Sequence, residues 1–369
     1  MGSIMYRTEN LNKSYADGDG VCYALRDVNL DISKGQMVAI VGESGSGKST
    51  LLNILGAIDS ATGGKVIANG KNIAGLSEEQ LSTYRSKTVG FVFQAFHIID
   101  CYTVYDNIEL PLIINKVPRS QRDDMIRKAV ARVGLDDKLR TKCNKLSGGE
   151  KQKIAFASVY AMEPEVYLLD EPSSNLDMTA IGELREHLEL IRSQGKTILI
   201  AEHRLCYLAD IADRVIYLEN GRIAGDYTSE QFCALPDRER QKMGLRAVYL
   251  DKEEPEYSEP ETAPPVMEMR NISLKWKKQP VIENISLTAA PKEIIAVVGH
   301  NGAGKTTFSR GLCGLHKETD GEFIWKGKAL APKERMKLSY MVMQDVNYQL
   351  FAESVEAECT FGIKHPDKV

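Results

Sequence analysis

Apolar residues along this chain fall into two patterns. Short continuous runs, such as MVAIV (37–41), VYLL (166–169) and TILIA (197–201), have the length and β-branched content of strands covered on both faces. Longer stretches such as KQKIAFASVYA (151–161) carry helical spacing. Alternation of the two predicts an α/β fold with a largely parallel sheet.

The pattern then repeats. An apolar run enters a glycine-rich loop and a helical stretch at MVAIVGESGSGKSTLLNIL (37–55) and again at IIAVVGHNGAGKTTFSRGL (294–312). Upstream lie YALRDVNLDI (23–32) and PVIENISLTA (280–289); downstream, VGFVFQ (89–94) and LSYMVMQ (338–344) both end in glutamine. A period this long reads as a duplicated domain, not a solenoid. Between the copies, DKEEPEYSEPETAPP (251–265) is acidic, proline-rich and almost free of large apolar side chains, the composition of an extended linker. The predicted layout is a complete domain over 4–245, a linker over 246–265 and a partial second domain over 266–369.

Bulk composition narrows the class. A chain of 369 residues, 43% hydrophobic and 27% charged, has material for more than one core. A net charge of −4 gives no global case for binding nucleic acid. The basic stretch from Arg119 to Lys153 reads as a solvated helical face and loop. Seven dispersed cysteines without a CxxC pair fit a reducing cytosol. No apolar run approaches the ~18 residues of a membrane-spanning helix, and the N-terminus has no signal-peptide core.

The two glycine-rich loops carry the chemistry. Gly42, Gly47, Lys48 and Ser49 fill the fixed places of G-x-x-x-x-G-K-[ST], as do Gly299, Gly304, Lys305 and Thr306. Glycines let successive backbone N–H groups converge on phosphate, and the helix N-terminus that follows adds positive potential. The first phosphate cradle thus comprises Gly42, Ser44, Gly45, Ser46, Gly47, Lys48, Ser49 and Thr50. The second comprises Gly299, Asn301, Gly302, Ala303, Gly304, Lys305, Thr306 and Thr307. Ser49 and Thr306 are candidate Mg²⁺ ligands. VYLLDE (166–171) reads as a buried strand delivering two carboxylates at its C-terminal end, where open α/β sheets place their ligands. Asp170 is suited to Mg²⁺, and Glu171 to orienting and deprotonating a water.

With these residues in place, Leu146-Ser147-Gly148-Gly149-Glu150 resembles the signature motif of the ATP-binding-cassette (ABC) ATPases of transporters. Ser174-Asn175-Leu176-Asp177 is similar to that family's D-loop, Gln94 to its Q-loop glutamine and His203 to its switch histidine. Tyr15, and more weakly Trp276, stand where an aromatic residue stacks on adenine. Residues 5–115 look like the lipoprotein-release and macrolide-export ATPases. From about Leu146 onward the chain looks like the tandem ATPases of energy-coupling-factor (ECF) vitamin importers.

The resemblance implies a P-loop NTPase core with a mostly parallel sheet, an antiparallel β subdomain and a helical signature subdomain. It implies ATP and Mg²⁺ as cofactors, with Ser49, Gln94 and Asp170 on the metal. Glu171 and His203 would be catalytic, and Ser147, Gly148 and Gly149 would contact nucleotide. The implied partners are an integral-membrane transporter subunit and a second cassette, at the cytoplasmic face of the membrane, with no nucleic acid. The rival, a soluble tandem ATPase acting on ribosomes or DNA, is disfavoured by the acidic balance and by the lack of a long basic or coiled-coil insertion. The first copy's spacing from Gln94 to its signature, laid on Gln344, puts a second signature beyond Val369. The second copy should therefore hold only a P-loop and a Q-loop glutamine, with strands that lack neighbours.

Overall fold

The computed structural model describes residues 3–17, 20–95, 97–174, 176–249, 263–276, 279–317, 319–343 and 349–361. The chain divides into two units, Met1–Pro255 and Glu256–Val369. Most of the segment read as a linker, and Asn175 and Gln344, lie outside the described residues.

Unit 1 opens with an antiparallel sheet. β1 (Ile4–Asp17) pairs with β2 (Gly20–Ser33), and β4 (Gly63–Ala68) and the short β5 (Lys71–Asn72) extend it in the order β2-β1-β4-β5. The second sheet holds β3 (Met37–Val41), β6 (Val89–Val92), β7 (Val166–Asp170), β8 (Thr197–Ala201), β9 (Arg214–Glu219) and β10 (Arg222–Thr228), in the order β10-β9-β3-β8-β7-β6. All its pairings are parallel except β9 with β10. The central strands β3, β7 and β8 are buried at every position, which is why their sequences are unbroken apolar runs.

Helices cover both faces. α1 (Lys48–Leu55) follows β3 and packs Leu51, Leu52, Ile54 and Leu55 into the core shared with the antiparallel sheet. α2 (Glu78–Lys87) leads into β6, and α6 (Met178–Ser193) fills the other face with Ile181, Leu184, Leu188 and Ile191. α3 (Val104–Ile114), α4 (Arg119–Arg132) and α5 (Gly148–Tyr160) form a helical subdomain around Ile108, Ile126, Val130 and Ile154. Reciprocal capping boxes start two of these helices, Thr103 with Asp106 and Ser147 with Glu150. Two short helices, α7 (Ser229–Cys233) and α8 (Asp237–Lys242), end the unit.

Unit 2 repeats only part of this. β11 (Met267–Trp276), β12 (Gln279–Ala289), β13 (Thr319–Trp325) and β14 (Lys328–Ala329) form an antiparallel sheet in the order β12-β11-β13-β14, over a small core of Met269, Ile272, Leu274, Phe308 and Phe323. α9 (Lys305–Leu312) follows the second glycine loop, and α10 (Pro332–Leu338) and α11 (Val355–Thr360) complete it. The strands that the apolar patterns at 294–298 and 338–343 predict do not form. Ile294 is 97% exposed, Val298 85% and Tyr340 99%. Among the described residues, unit 2 has no counterpart of β7, β8 or β9, so these segments find no backbone to pair with.

Candidate nucleotide site

The parallel pairing of β3, β7 and β8 aligns Ile40, Asp170 and Ala201 at one edge of the sheet. The residues that follow each strand therefore converge. After β3 comes the P-loop, whose backbone only glycine fits at two places. Gly42 and Gly47 have φ of 151° and 103°, and a methyl group on them would stand 2.3 Å from the Leu218 carbonyl oxygen and 2.4 Å from that of Ala24. Gly47 in its left-handed conformation turns the chain into α1. Lys48 is only 4% exposed, and its ammonium donates to the carbonyls of Gly42 (2.9 Å) and Glu43 (2.8 Å). Burial pulls its pKa down while the charges of Glu171, Asp170 and Glu202 oppose that shift. The Ser46 hydroxyl is buried with no hydrogen-bond partner, so its O–H is a donor left open inside the cradle.

After β7 comes the acidic pair. The Ser49 hydroxyl donates to Asp170 Oδ1 at 2.9 Å. Burial, and then the neighbouring Glu171 charge, push the Asp170 carboxyl up against the Ser49 hydrogen bond. A buried carboxylate beside a hydroxyl is a set of hard oxygen donors suited to Mg²⁺, which would relieve that penalty. One carboxylate and a hydroxyl match the way Mg²⁺ is ordinarily held, with phosphate oxygens and water as its other ligands; among the described residues no cluster of three His, Cys, Asp or Glu side chains could hold a metal.

Glu171 has φ of 46°, a left-handed conformation that costs a non-glycine residue about 1–3 kcal/mol. Two backbone bonds hold it there, from its own N–H to Ala201 O (2.9 Å) and from Ser174 N–H to its carbonyl (3.2 Å). Its carboxylate lies 3.1 Å from His203 Nε2 and accepts from the Gln94 amide at 2.9 Å. The hydrogen bond from His203, opposed by burial, holds the Glu171 carboxyl below its usual range, so it stays an acceptor at neutral pH.

Gln94 thus engages Glu171, not the Ser49–Asp170 pair. Tyr15 donates its hydroxyl to Asp59 at 2.7 Å, beneath the Lys13 ammonium 4.7 Å from its ring, and leaves much of the ring exposed. Ser147 caps α5 and hydrogen-bonds Glu150, which pairs with Lys138; these contacts stay in the helical subdomain, away from the P-loop. Asp177 caps α6 through Ala180 N–H at 3.0 Å.

In unit 2, Lys305 donates to Gly299 O (2.6 Å) and His300 O (2.9 Å), and Gly304 takes the left-handed conformation. Asn301, Gly302, Ala303, Thr306 and Thr307 follow the same course. Among the described residues no acidic strand end faces Thr306. Trp276 stacks on His316 with ring centroids 6.1 Å apart.

Two residues near the acidic pair were not singled out from the sequence. Arg246 adds positive charge near Glu171 from the segment after α8. Glu202 is the residue directly before His203, and nothing in its sequence context marks it.

A P-loop beside an acidic strand end on a parallel sheet defines a P-loop ATPase. The ABC transporter family profile matches residues 25–174 and 282–360, and the chain belongs to that family. A putative ABC transporter ATP-binding protein of Treponema denticola is 42% identical over 352 residues, covering 92% of this chain and 71% of that protein. A lipoprotein-releasing system ATP-binding protein of Geobacter metallireducens is 37% identical over 225 residues, 61% of this chain and all of its own length. Among solved structures, a dimeric ATP-binding cassette in a post-hydrolysis state with ADP and Pi superposes with a TM-score of 0.59 at 33% identity, covering 61% of this chain and 99% of its own. The chain is an ATP-binding, ATP-hydrolysing subunit of an ABC transporter.

Proposed function

We propose that unit 1 is a catalytic cassette whose hydrolysis of MgATP energises a membrane-embedded transporter subunit. The observation that carries this reading is the Gln94–Glu171–His203 contact set beside the Ser49–Asp170 pair. Gly42 to Thr50 would cradle the phosphates, with Lys48 neutralising the β- and γ-phosphates. Ser49, Asp170 and, after its side chain turns, Gln94 would hold Mg²⁺, which supplies charge neutralisation at the phosphates. Tyr15 would offer its ring face to adenine. Glu171 takes the proton of the attacking water, and His203 supports the γ-phosphate and keeps Glu171 ionised. Positioning and electrostatics supply most of the acceleration in such a reaction.

Unit 2 supplies a second phosphate cradle, from Gly299 to Thr307, with Thr306 as its metal ligand and Gln344 as its Q-loop glutamine. Ser147, Gly148 and Gly149 would complete a nucleotide site on a second cassette, by homo- or heterodimerisation. The solved cassette that this chain resembles is itself a dimer, which supports that reading. Membership of the ABC transporter family supports a place at the cytoplasmic face, bound to a membrane partner; among the described residues no helix is long and apolar enough to cross a membrane itself. Similarity to a lipoprotein-releasing ATPase along that protein's whole length favours release or export. The ECF-like stretch from Leu146 keeps vitamin uptake as the second reading.

The test is a mixing experiment. Chains bearing Lys48→Ala and chains bearing Ser147→Arg are each expected to lose activity, and their mixture to regain at most one working site per dimer. Full activity of the Ser147→Arg chain at high dilution would sink the shared-site arrangement.

A further inference from the structure

We propose that Glu202 is a positioning residue, a buried carboxylate that ties the loop carrying His203 to the loop after Glu171. This rests on the roles given above to Glu171 and His203.

Glu202 is 2% exposed at the end of β8, and its own N–H donates to Ile40 O at 3.1 Å, so its root is fixed at the centre of the sheet. Its two carboxylate oxygens receive four donors. Oε1 accepts from the backbone N–H groups of His203 (2.7 Å) and Arg204 (3.0 Å). Oε2 accepts from the Tyr207 hydroxyl (2.7 Å) and, across the gap between loops, from the backbone N–H of Ser173 (3.3 Å). Ser173 lies two residues after Glu171 and is fully buried. A second link runs in the same direction, from the Arg204 guanidinium to Leu176 O at 3.1 Å. Burial and the Glu202 charge push the Tyr207 phenol far up, so its hydroxyl remains a donor.

A buried carboxylate is costly unless its lone pairs are filled. Here one carboxylate satisfies three backbone donors from two different loops, and no neutral side chain can do so. A glutamine offers one acceptor oxygen and turns an N–H₂ group toward the other donors. Each donor left unsatisfied costs about 1–3 kcal/mol, so one loop must move. The His203–Glu171 contact spans the same gap at 3.1 Å and would open with it. Misplacement of a catalytic group by about 1 Å can cost on the order of a hundredfold in rate.

The experiment measures kcat and ATP affinity on the full chain for Glu202→Gln and Tyr207→Phe, each alone and combined with His203→Ala, with Glu171→Gln as the reference. Glu202→Gln is expected to lower kcat about tenfold to a hundredfold while the ATP dissociation constant stays within about threefold. Tyr207→Phe, which removes one donor without touching the charge, should lose about two- to threefold. In the His203→Ala background each change should cost clearly less than it does alone, because the His203–Glu171 contact it preserves is already gone. An unchanged kcat in Tyr207→Phe and Glu202→Gln overturns the proposal. So does an equal loss with and without His203, which would mean general structural damage. If Glu202→Gln does not fold, Tyr207→Phe decides alone by the same two criteria. An active Glu171→Gln would instead remove the assignment of the base and leave these outcomes separately readable.

Discussion

The two glycine loops share one local geometry and sit on very different supports. In both, the lysine ammonium bridges the carbonyls of the loop's first two residues, and the last glycine turns left-handed into the helix. Behind the first, β3 lies between β8 and β9 and is completely buried. Behind the second, residues 294–298 form no strand and lie in the open. A P-loop is thus a local structure, set by glycine freedom and short-range hydrogen bonds. The strand that aims it belongs to the sheet, and the sheet depends on distant residues. The acidic pair follows the same logic, since it arrives on β7, which unit 2 lacks among its described residues.

Five experiments bear on this contrast. The largest effect should come from Glu171→Gln, which keeps shape but removes the basic carboxylate. Turnover is expected to fall about 10²–10⁴-fold with ATP still bound, because general-base catalysis typically contributes that much. Substantial residual hydrolysis would remove the assignment of Glu171 as the base, unless adding Lys305→Ala abolished it and so traced it to the second loop.

Next in size is the support itself. Met37 and Ile294 occupy equivalent places in the two repeats, one fully buried and the other exposed. Met37→Ala should destabilise unit 1 by about 2–5 kcal/mol in denaturant unfolding. Lys48→Ala should weaken ATP binding by about 1.5–3 kcal/mol, tenfold or more, since it removes a charge-assisted contact in a buried site. Lys305→Ala, at a more exposed loop, should cost the lower end of the hydrogen-bond range, about 0.5–1.5 kcal/mol. Calorimetric titration of both variants separates the two, and equal losses would erase the difference between the loops.

The glycines give a smaller effect of the same kind. Gly47→Ala meets a backbone carbonyl at 2.4 Å, whereas the neighbours that Gly304→Ala meets are side chains, Ile282 at 3.1 Å and Val281 at 3.2 Å. Both carry the left-handed penalty of about 1–2 kcal/mol, so Gly47→Ala should lower the melting temperature more. Smallest of all is Ile294→Ala, expected to lie within about 0.5 kcal/mol of the parent. A loss comparable to that of Met37→Ala would show that the segment is buried in solution.

Much of unit 1 was legible in the chain. Continuous apolar runs marked β3, β7 and β8 because a strand covered on both faces has no polar side to alternate. The P-loop, the acidic strand end and the signature cap announce themselves because their chemistry requires fixed residues at fixed spacing. What could not be read was pairing in space. The apolar run at 294–298 has the same pattern as β3 and forms no strand, since a strand's backbone groups need neighbours that periodicity does not supply. The resemblance implies Gln94 as a metal ligand, whereas the contact its amide makes with Glu171 is a matter of loop placement that the sequence does not display. Glu202 was passed over entirely, because a glutamate next to a histidine looks solvent-facing until its four donors are seen.

By itself, then, the order of residues determined which segments become strands or helices in unit 1, where phosphate can be cradled, and which carboxylates stand ready. Those properties are local, governed by side-chain periodicity, glycine freedom and the fixed reach of neighbouring residues. Tertiary structure alone decided that Asp170 would be buried against Ser49, that His203 would hold Glu171 ionised from the next strand, and that, among the described residues, one glycine loop would be backed by a sheet and the other not. Each of these depends on parallel strands distant in sequence lying side by side, and no local pattern encodes that distance.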